Sequence, residues 1–265
     1  MASTDTGVTG PTRARIGART LRPDRWWLSP LVTFVVFTAF VVYATWRAFA
    51  GEHYYASPYL SPFYSPCMGQ QCVEGSADFG RPFDWFPYSP ALIILIVPLG
   101  FRMTCYYYRK AYYRAFWLSP PACAVAEPHG SYSGETRLPL VLQNLHRWFL
   151  ILSALVAMVL TYDVVLAFRN AEHEWGHMGL GTVVLGVNAA FIWLYTLSCH
   201  SCRHLIGGRL RHFSKHPVRY RLWTWVSRMN VHHPRYAWLS LFSVALADLY
   251  VYLVASGRID DVRFF

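Results

Sequence analysis

Charge is what this sequence has little of. Asp, Glu, Lys and Arg make up only 14% of its 265 residues, while 54% are hydrophobic. A soluble domain carries about 25% charged residues, so composition excludes that class. Acidic residues are the scarcer sign, 14 against 24 Lys and Arg, for a formal net charge of +10. Even the basic residues are nearly missing from two stretches: 50–86 holds only Arg81 and 169–180 only Arg169. Nothing reads as a dinucleotide-binding fold, a dicarboxylate site or an internal repeat. A cleavable signal peptide is also missing, because the first apolar run outlasts a signal h-region and no small-residue cleavage site follows it.

Long apolar blocks are what the sequence does have. A bilayer span needs about 20 mostly apolar residues. Five segments qualify: Trp27–Thr45, Pro87–Cys105, Trp148–Phe168, Gly181–Ser198 and Ala237–Ala255. Pro90 and Pro98 interrupt the second, which is tolerable where neighbouring helices satisfy the freed carbonyls. The expected fold is an all-α membrane protein of five transmembrane helices. Its anchor domain covers 26–265, after a disordered polar N-terminus over 1–25. Two further stretches read as interfacial amphipathic helices: YYYRKAYYRAFW from Tyr106, and Val218–Asn230.

The excess positive charge is sided. Arg13, Arg15, Arg19, Arg22 and Arg25 precede the first span. Arg102, Arg109, Lys110, Arg114, Arg137 and Arg147 surround the second connection, and the fourth runs from Arg203 to Arg235 through six more cations. Cationic loops stay cytoplasmic during insertion. The N-terminus, 106–147 and 199–236 are thus expected inside, and 50–86, 169–180 and the C-terminus outside. This accounts for the net charge without nucleic acid as a partner. The localisation expected is multi-pass in the cell's inner (plasma) membrane.

Topology then divides the cysteines. Cys67 and Cys72 fall in the outer loop, where a disulfide is the expectation. Cys105, Cys123, Cys199 and Cys202 fall at the inner face, with His146, His200, His204, His212, His216, His232 and His233. Thiolates beside imidazoles suit zinc, iron–sulfur or copper centres. In CHSCRH, His200 and His204 are four apart and share a helix face. Haem is a competing centre: one inner haem b could use His146 with His200 or His204. A second haem is disfavoured, because no histidine lies within the outer half of a span. Structural zinc in a non-redox scaffold is a third reading. Asp163 and Asp248 lie within spans, where a carboxylate is costly. They read either as interhelical hydrogen-bond partners or as a proton relay.

Taken together, FRMTCYYYRKAYYRAFWLSPPACAVAEP, LPLVLQNLHRWFL, LTYD, YTLSCHSCRHLIGG and LFSVALADLYV resemble the single-subunit membrane anchor of actinobacterial succinate dehydrogenases, in particular the first mycobacterial type. The resemblance covers about 26–265. It implies a haem-free anchor that docks a flavoprotein (FAD) subunit and an iron–sulfur subunit on the cytoplasmic face. Electrons would pass through a membrane-embedded Rieske-type [2Fe–2S] cluster to quinone, with menaquinone the species the resemblance implies. Such a cluster takes two Cys and two His. The resemblance implies Cys105 and Cys123 as thiolates and His200 and His204 as imidazoles, with His146 and Cys199 in reserve. Tyr106, Tyr107, Arg147, Trp148 and Tyr195 are the expected quinone contacts.

Overall fold

In the computed structural model, residues 24–70, 72–73, 75–125, 127–128 and 139–265 are described. The expected disordered N-terminus lies outside them except for Asp24 and Arg25, as do Arg13, Arg15, Arg19, Arg22 and Arg137. The chain forms two units, Met1–Ala39 with Tyr106–Pro139, and Phe40–Cys105 with Leu140–Phe265.

Four helices are long and apolar enough to cross a membrane: α1 (Leu28–Ala50), α5 (Pro139–Leu166), α6 (Leu180–Leu197) and α9 (His233–Ala255). A fifth span is reached if the bent pair Ala91–Thr104 and Tyr106–Phe116 counts as one. That pair is where the expected span Pro87–Cys105 falls. The helix there is broken into α2 (Ala91–Ile94) and α3 (Ile96–Thr104), and α4 (Tyr106–Phe116) follows Cys105. Two other spans start earlier than hydropathy suggests. α5 begins nine residues before Trp148, so His146 is inside a helix. α9 begins at His233 rather than Ala237, with Pro234 in its first turn. Proline is at home there because it has no N–H to leave unsatisfied. The interfacial helix expected over Val218–Asn230 is α8 (Pro217–Val231).

In the first unit, Phe34 of α1 meets Phe116 of α4 at 4.8 Å between ring centroids, and Phe37 meets Tyr108 at 5.7 Å. Arg114 then donates to the Pro121 carbonyl at 3.3 Å, tying the segment after α4 back to it.

In the second unit, α6 and α9 pack together, bridged midway by Ser243 Oγ donating to Asn188 Oδ1 at 3.1 Å. One face of α9 is buried: His233, Ala237, Ser240, Leu241, Ala247, Asp248 and Val251. Their spacing follows the helical repeat of 3.6. A short hairpin, Tyr55–Ala56 against Tyr59–Leu60, starts a segment that enters this bundle. Tyr59, Leu60, Ser61, Phe63, Tyr64 and Ser65 are each at most 2% exposed. The outer connection is therefore not wholly a surface loop. Residues 59–65 form a plug.

Buried polar atoms need partners, and the plug serves the carboxylates of the spans. Ser61 Oγ donates to Asp248 Oδ1 at 2.5 Å, and Ser65 Oγ donates to Asp163. Asp248, fully buried, also accepts from Arg47 Nε at 2.8 Å and Tyr43 at 2.5 Å. Beside the plug, Cys67 and Cys72 form a disulfide. The C-terminal segment closes the same end. Asp261 accepts from Tyr59 at 2.7 Å, Tyr250 at 2.6 Å and the Gly181 amide at 3.0 Å. Burial raises the Tyr59 phenol to about 12, and the bond to Asp261 adds to the rise.

Candidate metal centre

Two five-residue segments of the second unit carry the thiols. In FRMTC (101–105) and YTLSC (195–199), an aromatic residue is followed after two positions by a hydroxyl residue and then cysteine. Each segment closes a helix, and each cysteine leaves it in nearly the same extended conformation. The angles are φ −63° and ψ 126° at Cys105, and φ −63° and ψ 142° at Cys199. Cys199 then caps α7 (His200–Gly207), its sulfur accepting from the Ser201 amide at 3.4 Å. The two segments share a short local motif.

Two imidazoles fit crosswise between the segments. His146 has Nε2 3.0 Å from Cys199 Sγ and Nδ1 2.9 Å from Thr104 Oγ1. His233 has Nε2 3.5 Å from Cys105 Sγ and Nδ1 2.8 Å from Ser198 Oγ. The hydroxyl protons are already committed, Thr104 to the Gly100 carbonyl at 2.7 Å and Ser198 to the Tyr195 carbonyl at 3.1 Å. A hydroxyl has one proton to give, so both oxygens accept from the rings. With the hydroxyl protons on those carbonyls, each ring donates from Nδ1 and turns Nε2 to a sulfur, an assignment made from the hydrogen-bond network. The aromatic residue of each segment holds one ring flat. Phe101 stacks on His146 at 4.6 Å and 4°, and Tyr195 on His233 at 5.1 Å and 15°.

All four side chains are buried. Burial, helped by the neighbouring Cys105, pushes the Cys199 thiol up to about 12, against the pull of the Ser201 and Cys202 amides. The sulfur therefore keeps its proton and donates it to His146, and a metal must displace that proton to bind. Fixing the far nitrogen of a ligating histidine is how proteins orient such rings toward metal. Two thiols with two imidazoles match a Rieske-type cluster or a zinc site in kind. Among the described residues, no three His, Cys, Asp or Glu side chains converge on a single-ion position.

The sequence-predicted ligands divide. Cys105, His146 and Cys199 are in this quartet. His233 was counted among the inner-face imidazoles but not among the expected ligands, because the fifth span was started at Ala237; Pro234 marks the earlier helix start. His200 and His204 meet each other instead, Nε2 to Nε2 at 2.9 Å, with both rings exposed. Cys123 is exposed in the first unit. Burial raises the half-buried Cys202 thiol.

A cavity of about 360 Å³ adjoins the quartet's aromatic walls. Its lining is almost wholly apolar, from Phe63 of the plug past Leu95 and Leu160 to Phe101, Arg102 and Tyr195. Arg102 lies 4.9 Å from the Tyr195 ring and donates to Ser240 at 3.1 Å. Of the expected quinone contacts, Tyr195 lines this cavity. Tyr106 and Tyr107 belong to the first unit, while Arg147 and Trp148 are exposed on α5. Arg102 was read only as topology. Asp248 is held as an ion pair, whereas Asp163 Oδ1 is buried with no hydrogen-bond partner among the described residues.

No curated protein matches the chain. It resembles a chain of a solved structure described as the Mycobacterium smegmatis Sdh1 complex in the apo form. The two are 54% identical over 98% of this chain and 99% of that one, with a TM-score of 0.86. The family of the actinobacterial succinate dehydrogenase subunit SdhC matches residues 28–257. Four to five spans, a buried thiol–imidazole quartet and that match over most of the length lead to one assignment: the chain belongs to the actinobacterial succinate dehydrogenase SdhC family and is a subunit of that enzyme complex.

Proposed function

We propose that this chain is the quinone-reactive anchor of a succinate:quinone oxidoreductase, with Cys105, Cys199, His146 and His233 holding a Rieske-type [2Fe–2S] cluster inside the membrane domain. The observation that carries this reading is the crosswise quartet, each imidazole with Nδ1 against a hydroxyl and Nε2 against a sulfur. A single tetrahedral zinc would need three or four donors on one point, and the described residues offer none. Haem fits less well, since no histidine lines the apolar cavity. When bound, the cluster would supply one-electron transfer at this end of the bundle.

The chain's own residues do the rest. Thr104 and Ser198 keep Nε2 bare, so each imidazole can bind without first losing a proton. Phe101 and Tyr195 exclude water from the quartet. Tyr195 and Arg102 form the polar end of the cavity, where a quinone headgroup would sit with its isoprenoid tail along the apolar walls. The Tyr195 ring would then separate the quinone from His233. Asp163, with one carboxyl oxygen uncommitted, is the better placed of the two span carboxylates for proton exchange.

By charge, the quartet's end is cytoplasmic: Cys105 and Cys199 open the two most basic connections. That face would dock the flavoprotein and iron–sulfur subunits, and succinate would be oxidised on the flavoprotein. The plasma membrane is the location this implies.

The test is EPR and visible spectroscopy of the purified complex with iron and zinc analysis. A Rieske-type signal is expected. A Soret band would favour haem, and zinc without any redox signal would sink both. His146→Ala with His233→Ala should abolish quinone reduction while succinate oxidation by an artificial acceptor survives.

A further inference from the structure

The histidines left over from the quartet form a second constellation. His200 and His204 stand one turn apart on α7, with ring centroids 4.5 Å apart and their Nε2 atoms facing each other at 2.9 Å. They open onto a pocket of about 280 Å³, whose other walls are Arg203, Gly207, Gly208 and Trp223. Trp223 packs close against residue 207 because it is glycine: a Cβ there would come within 2.5 Å of the ring. Arg203 is drawn over that ring, 4.7 Å from its centroid. Arg219 meanwhile holds the end of α7 by donating to the carbonyls of Ile206 and Gly208.

Two neutral imidazoles can share only one proton, and the alternative is a metal ion between them. A bond of about 2.0–2.1 Å from zinc to imidazole nitrogen puts two cis nitrogens roughly 2.9–3.4 Å apart, depending on the angle. The observed separation lies at the edge of that range without movement of either ring.

We propose that His200 and His204 form a binding site for a late first-row divalent cation, of the Zn²⁺ or Ni²⁺ class, distinct from the buried quartet. Soft-to-borderline ions prefer imidazole, whereas Mg²⁺ and Ca²⁺ demand oxygen ligands that this pocket lacks. Water fills the remaining coordination positions in an open pocket of this size. Arg203 opposes the ion's charge, so the site is weaker than the two imidazoles alone would make it. Chelation across one turn also pins the first turn of α7.

The test uses the intact purified complex, washed with EDTA and equilibrated with ZnCl₂. One zinc per chain is expected beyond the content of the washed complex. His204→Ala, an exposed position, should lose that equivalent, and His200→Gln should do the same. Arg203→Gln should bind zinc more tightly, since it removes the repelling charge, and Mg²⁺ at the same concentration should not compete. Zinc should slow amide exchange across 200–208 in the wild type and leave His204→Ala unchanged. Zinc uptake indifferent to both histidine variants, or weakened by Arg203→Gln, overturns the proposal. These readouts concern the exposed pair alone, so they stand whether or not the quartet holds a [2Fe–2S] cluster.

Discussion

The two ends of the larger unit solve the problem of polar groups inside a membrane protein in opposite ways. At the plug end, charge is kept and paired: Arg47 and Asp248 meet at 2.8 Å with no exposure, and Tyr43 and Ser61 complete the carboxylate's bonds. At the quartet end, charge is avoided. Two thiols and two neutral imidazoles donate and accept in matched pairs, with hydroxyls of Thr104 and Ser198 behind them. An ion pair fixes a structure and resists exchange. A set of neutral donors carries no fixed charge to be paired. On the reading proposed above, the difference separates an end that holds the fold from an end that would take a metal.

The sharpest way to break this contrast is to remove one thiol. Cys199→Ser in the complex should lose the iron attributable to the quartet, read by metal analysis, while Cys123→Ser should keep it. The reverse result would restore the ligand set first expected from the sequence. Next in size is the plug end. Asp248→Leu strands Arg47 in the bundle, and breaking a buried pair costs about 3–5 kcal/mol. It should appear as a large loss of assembled, heat-stable complex with the spectrum of any surviving complex unchanged. Cys67→Ser with Cys72→Ser opens only a short loop, for which the chain-entropy relation gives about 2 kcal/mol. A modest drop in thermal stability in non-reducing buffer is expected. Subtler is Ser198→Ala, which frees the His233 tautomer while keeping all four ligands. Metal affinity should fall about 10–100-fold, and fold stability should move far less. If Ser198→Ala instead destabilised the fold and left metal affinity alone, the hydroxyl would be a packing group.

How much of this was written in the sequence depends on range. Hydropathy located the spans, since apolar length is a local property. The quartet was half legible. Cys105, His146 and Cys199 stood among the expected ligands or their reserves, whereas His233 was only one of seven inner-face histidines, placed outside the fifth span by an apolar count that ignores a helix's first turn. Pro234 marked that turn. Cys123, implied by the resemblance, is exposed in the first unit, and nothing in its local sequence signals that placement. His200 and His204 were correctly read as sharing a face, and spacing alone could not say that their partner is each other. The FRMTC and YTLSC repeat was visible but too short to be noticed without knowing that the hydroxyl of one segment serves the histidine of the other's cysteine. The plug was not legible, because Ser61 and Ser65 are buried only through carboxylates far along the chain.

The Arg47–Asp248 pair spans 201 residues. A ribosome delivers Arg47 to the membrane long before Asp248 exists, so until α9 is made the cation lacks its counter-charge and has only local acceptors such as the Glu52 and His53 carbonyls. Unpaired cations at such depth are costly, and domains form as the chain emerges from its N-terminal end. The last helix therefore completes the pair: α9 brings the carboxylate to which both Arg47 and Ser61 of the plug donate.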